Sequence, residues 1–345
     1  MSNKFNPFCL TLMCLFILSA CGKKSNGEPK STLSTAKGIY VAGVESISAK
    51  SIPRYWKDGI AVSLPHNEHH TSIEGIAVSG DDVYCVGQTD NGTQKFGKYW
   101  KNGQETTFTT NSISASINGL AINNNDVYIV GTVHTGSSLE ATYWKNGSPT
   151  RLSNTVHDAF GNGIAAVNGD VYVAGYENTA TSAIAKYWKN GTATSLTNGT
   201  PRSYATAIAV KGADVYTAGY SIVGSISIAK YWRNSTEVVL TSAASSGRAS
   251  AIFISGTDIY VAGYENSATG QAIATYWKNG TRFTLTNGAT SAYANSIFVI
   301  DGDVYIAGYE IKNSVNVAKY WKNGIEVVIG NGINHSVLKS IYVVN

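Results

Sequence analysis

The chain has only four cysteines in 345 residues, and three of them, Cys9, Cys14 and Cys21, fall within the first 21 positions. Cys85 alone lies beyond, so no disulfide can staple the remaining sequence and a hydrophobic core must hold it. Charge is sparse too: 26 Lys and Arg against 22 Asp and Glu leave a formal +4, near +3 once Lys4 is removed with a leader. The basic residues are spread along the chain instead of clustering, which argues against a nucleic-acid partner. No segment carries the 3.6-residue period of an amphipathic helix. There is no nucleophile elbow, phosphate loop or HExxH, and carboxylates are too few to select a glycosidase pair.

What is present begins with a processing signal. Lys4 gives a short basic start, and residues 8–18 form an apolar run of h-region length, too short for a good membrane span. Leu18-Ser19-Ala20-Cys21-Gly22 then resembles the bacterial lipobox. That resemblance implies a signal peptide over 1–20 and lipidation of Cys21, with acyl chains as a membrane anchor. The absence of Asp after Cys21 implies the outer membrane. Residues 22–37 are polar and lack aromatics, so 21–37 read as a lipidated cysteine and flexible tether.

Every tryptophan belongs to a Tyr-Trp-Lys/Arg tripeptide: Trp56, Trp100, Trp144, Trp188, Trp232, Trp277 and Trp321, spaced by 44 or 45 residues. A fixed period of that length with strand-like segments inside it marks a propeller or array. One unit shows why. Residues 164–167 are a short apolar strand A, Asn168-Gly169-Asp170 a tight turn, and residues 171–176 (Val-Tyr-Val-Ala-Gly-Tyr) strand B. Residues 185–189 form strand C, Asn190-Gly191 a type I′ hairpin signal, and residues 192–197 a polar strand D. An Asp recurs in the A–B turn (Asp82, Asp126, Asp170, Asp214, Asp258, Asp303), read as holding the turn through backbone N–H groups in preference to binding calcium. Cys85 fills the slot of Val173 and Val261, as a small buried apolar side chain would.

The ends are complementary. Residues 38–43 align with strand B and have no strand A before them, while residues 339–345 align with strand A. The expected fold is therefore all-β: a seven-bladed β-propeller over 38–345 with four-stranded antiparallel blades. Its ring is closed by the C-terminal strand A beside N-terminal strands B, C and D, and a monomer is expected. The recurrent aromatic-Trp-x-Asn-Gly hairpin resembles bacterial Kelch-like and HAF-like propeller repeats. The paired glycines of Kelch and the Trp-Asp of WD repeats are absent, so the resemblance implies architecture only.

Candidate chemistry lies where the repeats differ. The B–C and D–A loops share one end of a propeller, and all six histidines are expected in them. His66, His69 and His70, with Glu74 after them and His335 entering the first blade, have metal-ligand types. A divalent metal there would support a hydrolase or lyase, the alternative to a binding or scaffold module for a protein or glycan partner. A polar position recurs before the core of strand A: Glu74, Asn118, Asn162, Thr206, Ser250, Asn295 and Lys339. Two residues earlier stand Phe160, Tyr204, Arg248 and Tyr293. Together they would line a funnel suited to a sugar or peptide, or else cap strand A against water. Tyr176, Tyr220, Tyr264 and Tyr309, with Glu177, Glu265 and Glu310, form a second set at the same end.

Overall fold

Strand B of each unit is the part most committed to burial, because its β-branched, aromatic and small residues leave no polar face. The computed structural model describes residues 37–345 except 49, 67–68, 110–113, 154–155 and 243–244. The expected signal peptide, tether and lipidated Cys21 lie outside the described residues. Within them every regular element is a strand, and the strands form seven four-stranded antiparallel sheets. The innermost strands A are Ser336–Val344 in blade 1, His70–Ser79, Ser114–Asn123, Ala159–Val167, Arg202–Lys211, Gly247–Ser255 and Ala292–Ile300 in blades 2 to 7. Blade 1 is the split one: Ser336–Val344 pairs with Gly38–Ile47, which pairs in turn with Lys50–Lys57 and Ile60–Ser63. Each strand A packs on the next, and that of blade 1 touches those of both blade 7 and blade 2, so the ring closes.

The tryptophans on strand C sit between blades and are 0–5 % exposed. Each lies opposite the middle of strand B, as in Val173–Trp188 and Cys85–Trp100, so Cys85 does occupy the valine slot and is buried. Burial pushes its thiol pKa strongly up, which keeps it protonated. Removing about 150–250 Å² of a tryptophan from water contributes roughly 4–6 kcal/mol as an upper bound.

At the turn end, the C–D hairpins adopt the left-handed geometry that type I′ requires: Asn190 has φ 50° and Gly191 φ 87°. The asparagine Oδ1 accepts from the N–H of the residue after the recurrent Asp at 2.8–2.9 Å (Val171 for Asn190). Its Nδ2 donates to the recurrent Asp at 2.5–2.8 Å. The same Asp pairs with the Lys or Arg after Trp at 2.6–2.9 Å and accepts from the strand-B tyrosine hydroxyl. The turn role expected for these aspartates is thus filled by side-chain partners, with Asn supplying the contact to the backbone. Hydrogen bonds from Lys189 and Asn190 hold the Asp170 carboxyl below the usual range.

Strand A starts earlier than the apolar pattern suggests, at Ala159 instead of Ile164 in blade 4. The cause is a β-bulge: the register slips between Gly161 and Gly163, leaving Asn162 unpaired, and the same slip recurs at the equivalent place in all seven blades. An extra residue breaks the two-residue alternation, so the pattern beyond it reads as loop. The strand-B glycine facing the slip has a physical reason. A Cβ on Gly175 would lie 1.8 Å from the Phe160 carbonyl oxygen, and the six equivalent glycines face carbonyl oxygens at 1.8–2.1 Å.

Candidate functional site

The recurrent polar position is the bulge residue itself. Asn118 Nδ2 donates to the Gly161 carbonyl, Asn162 Nδ2 to Ala205 and Asn295 Nδ2 to Leu338, each at 2.7 Å, and Thr206 Oγ1 donates to Ala249 at 2.8 Å. Each bond crosses from one blade to the residue just before the bulge of the next. Lys339 Nζ lies 3.8 Å from Glu74 Oε2 and continues the belt from blade 1 to blade 2. Burial raises the Glu74 pKa against the lowering pull of Lys339. The principal donors of Asn118, Asn162, Thr206 and Asn295 are therefore committed to bonds between neighbouring blades.

One step outward from the bulge, the four predicted residues Phe160, Tyr204, Arg248 and Tyr293 lie directly across the strand pair from Tyr176, Tyr220, Tyr264 and Tyr309. The two sets, separate in sequence, form one band. Phe160 stacks on Tyr176 (centroids 4.5 Å apart), Tyr176 meets Tyr204 edge-on at 4.8 Å, and Tyr204 stacks on Tyr220 at 5.0 Å. The Arg248 guanidinium lies 4.4 Å from the Tyr220 ring centre. Tyr264 meets Tyr293 edge-on at 5.0 Å, and Tyr293 stacks on Tyr309 at 5.1 Å. Stacking occurs within a blade and edge contact between blades, the two geometries that ring quadrupoles favour. All eight side chains are half-buried.

The band spans blades 4 to 7 and stops. The same pair of positions holds Val337 and Val44 in blade 1, Ser72 and Gln88 in blade 2, and Ser116 and Thr132 in blade 3. There Gln88 Oε1 accepts from the Ile117 N–H of the next blade, and His134 Nε2 lies 3.4 Å from Ser116 Oγ. The mouth is thus a crescent of aromatic faces completed by a small, mostly polar arc. No hydroxyl of the crescent tyrosines Tyr176, Tyr204, Tyr220, Tyr264, Tyr293 and Tyr309 has a hydrogen-bond partner among the described residues. Burial, then the neighbouring Tyr204 and Tyr220, push the Tyr176 hydroxyl up to about 12, and burial also raises Tyr220, Tyr264 and Tyr309. They stay protonated and able to donate.

Next to the crescent lies a cavity of about 460 Å³ whose wall includes Tyr204 itself, with Arg202, His157, Asp158, Asn178 and Thr181. Its size suits a few sugar units or a short peptide. Sequence reasoning missed Arg202 and Asp158, which share one repeated position 44 residues apart. At that position Ser114, Asp158, Ser246, Ser291 and His335 each accept from a strand-C N–H, and Arg202 is the departure that could have signalled it.

The predicted metal ligands are not brought together. His66 Nδ1 lies 3.1 Å from the Leu64 carbonyl oxygen, His69 precedes strand A of blade 2, and His70 is its first residue, opposite Asp90. His335 Nδ1 accepts from the Asn316 N–H at 3.1 Å, in blade 7. His70 and His134 thus stand in strand ends instead of loops. Among the described residues no group of three or more His, Cys, Asp or Glu side chains is placed to hold a metal ion.

No protein-family model matches the chain, and no curated protein does either. Solved structures match by fold. TolB from Acinetobacter baumannii is similar at 10% identity over 87% of this chain and 79% of that one, with a TM-score of 0.49. A puromycin-hydrolysing peptidase from Mycobacterium tuberculosis matches at 8% identity over 86% of this chain and 52% of its own length, with a TM-score of 0.54. A putative TolB from Agrobacterium tumefaciens matches at 12% identity over 73% and 89%, with a TM-score of 0.46. Identities this low establish likeness of fold alone.

Proposed function

We propose that this protein is a lipid-anchored binding module of the bacterial cell envelope, tethered through Cys21 at the outer membrane, whose propeller holds a glycan or protein partner on the aromatic crescent. The observation that carries the reading is the breaking of sevenfold repetition at one mouth. Blades that agree almost residue for residue at the turn end carry aromatic pairs or Arg-Tyr at the mouth in four cases and none in three. Ring faces with unmatched hydroxyls beside a polar cavity offer stacking and hydrogen bonding together, the combination a saccharide or an extended peptide uses.

The test is direct. The full-length protein, purified in detergent, is applied to a glycan array and to membrane extracts after crosslinking, in parallel with the double variant Tyr204→Ala/Tyr220→Ala. The expected result is one class of bound partner that the variant loses by tenfold or more while its far-UV spectrum is unchanged. Retention of every bound partner by the variant would remove the crescent from the account. For the anchor, labelled palmitate is expected to enter the wild type and not Cys21→Ser, with the variant released from membranes.

A further inference from the structure

The crescent carries one full charge, and the surroundings of that charge point to a kind of ligand, provided the binding role given above holds. Arg248 occupies the place that Phe160, Tyr204 and Tyr293 fill in the other three blades. Its guanidinium stacks on Tyr220, and its Nε donates to Ser227 Oγ at 3.3 Å. That contact uses one of five N–H groups. No carboxylate pairs with it among the described residues. Glu265, the nearest acidic residue along strand B, is turned to Arg282 at 2.5 Å. Four basic side chains elsewhere in the blades do have a carboxylate: Arg54 with Glu45, Lys186 with Glu177, Lys230 with Glu237 and Lys319 with Glu310.

A second unpaired guanidinium stands at the cavity beside Tyr204. Arg202 is exposed, and its Nη2 donates to the Thr181 carbonyl at 3.0 Å. Asp158 shares that cavity, with Oδ1 accepting from the Leu139 N–H. We propose that the crescent takes an acidic saccharide, a sugar chain bearing carboxylates of the uronate class, with Arg248 receiving one carboxylate and the flanking tyrosines stacking on the sugar faces. A planar guanidinium already held over an aromatic ring presents its remaining N–H groups as a fork, and a carboxylate matches that fork with two parallel bonds. One guanidinium matches one monoanion. The unmatched tyrosine hydroxyls supply donors and acceptors for ring hydroxyls on either side, and Arg202 stands ready for a second acidic unit.

The experiment titrates the detergent-solubilised full-length protein with oligogalacturonate, with the same oligomer reduced at its carboxyl groups, and with poly-glutamate as an acidic peptide. Wild type, Arg248→Gln, Arg248→Lys and Tyr204→Ala/Tyr220→Ala are compared, with thermal midpoints as a check on folding. Oligogalacturonate is expected to bind at least tenfold tighter than the reduced oligomer. Arg248→Gln is expected to abolish that preference while keeping the residual neutral binding, Arg248→Lys to restore it in part, and the double tyrosine variant to weaken both sugars. Equal binding of the charged and reduced oligomers, or a preference that survives Arg248→Gln, overturns the acidic-saccharide proposal and leaves the binding role standing. Binding of poly-glutamate without either sugar overturns it in favour of a peptide. Binding of none of the three overturns it as well, and a blank array with no crosslinked partner would then remove the broader reading too.

Discussion

The two ends of this propeller are built from the same seven repeats and use tyrosine in opposite ways. At the turn end, the tyrosine hydroxyls of blades 2 to 7 meet an aspartate, which also holds an asparagine and a lysine or arginine, so the polar groups satisfy one another. At the mouth, tyrosines appear in only four blades, meet one another face to face or edge-on, and have hydroxyls with no hydrogen-bond partner among the described residues. The lesson is that repetition in this chain marks what holds the ring together, and departure from repetition marks surface with unused binding capacity. Six equivalent brackets spread a structural load evenly, whereas a ligand has no such rotational symmetry to match.

The comparison is broken most severely at the hinge between the two ends. Gly175→Ala would drive a Cβ into the Phe160 carbonyl, so the bulge cannot form as built. The expected outcome is loss of more than about 4 kcal/mol or failure to yield soluble protein, read by urea denaturation. Next comes Trp277→Ala, which empties a fully buried site between blades and is expected to cost about 3–5 kcal/mol, with no selective effect on either end.

A third variant sharpens the contrast within the mouth. Lys319 is fully buried between Glu310 at 2.5 Å and Glu326 at 2.6 Å. Burial alone would raise the Glu310 pKa, but hydrogen bonds from Lys319 and Thr290 and the charge of Lys319 outweigh it and hold it below the usual range. A depressed folded pKa means Glu310 stabilises the protein above its unfolded value of about 4.3, and that contribution fades as pH falls through the lower folded value. Glu310→Gln is therefore expected to cost about 2 kcal/mol at pH 7, because Lys319 keeps one partner, and to flatten the loss of stability below pH 4. Equilibrium unfolding across pH 3–7 reads both. The smallest effect is expected at a single turn bracket. Asn190→Ala removes the contacts to Asp170 and Val171 and leaves alanine at φ 50°, a change of about 1 kcal/mol that should not alter binding at the mouth.

Much of the fold was legible because its cause is local. The spacing of the tryptophans, the Asn-Gly hairpins and the unpaired strands at the two ends specify seven blades and a split closure, and the ring forms as those signals require. The start of strand A was not legible, because a bulge shifts the alternation by one residue and looks like loop. The site was legible only in fragments. Phe160, Tyr204, Arg248 and Tyr293 stood out as one series and Tyr176, Tyr220, Tyr264 and Tyr309 as another, but nothing in sequence separation says that the two meet across a strand pair. The polar series from Glu74 to Lys339 was read as a lining or cap. Its hydrogen bonds instead run from blade to blade, between residues 43 apart at Asn118 and Gly161 or Asn162 and Ala205. The histidines failed as a cluster for the same reason: shared chemistry along the chain does not place side chains in one shell, and His335 is held by the backbone of blade 7.

The amino-acid sequence by itself determined the strands, the turns, the number of blades and the way the ring is closed, because each follows from short-range propensity repeated at a fixed period. Only the tertiary structure decided which residues become joints between blades and which become exposed surface. Close packing of tilted strands around an axis brings side chains from neighbouring repeats within 5 Å of one another, and that geometry is written in no single repeat.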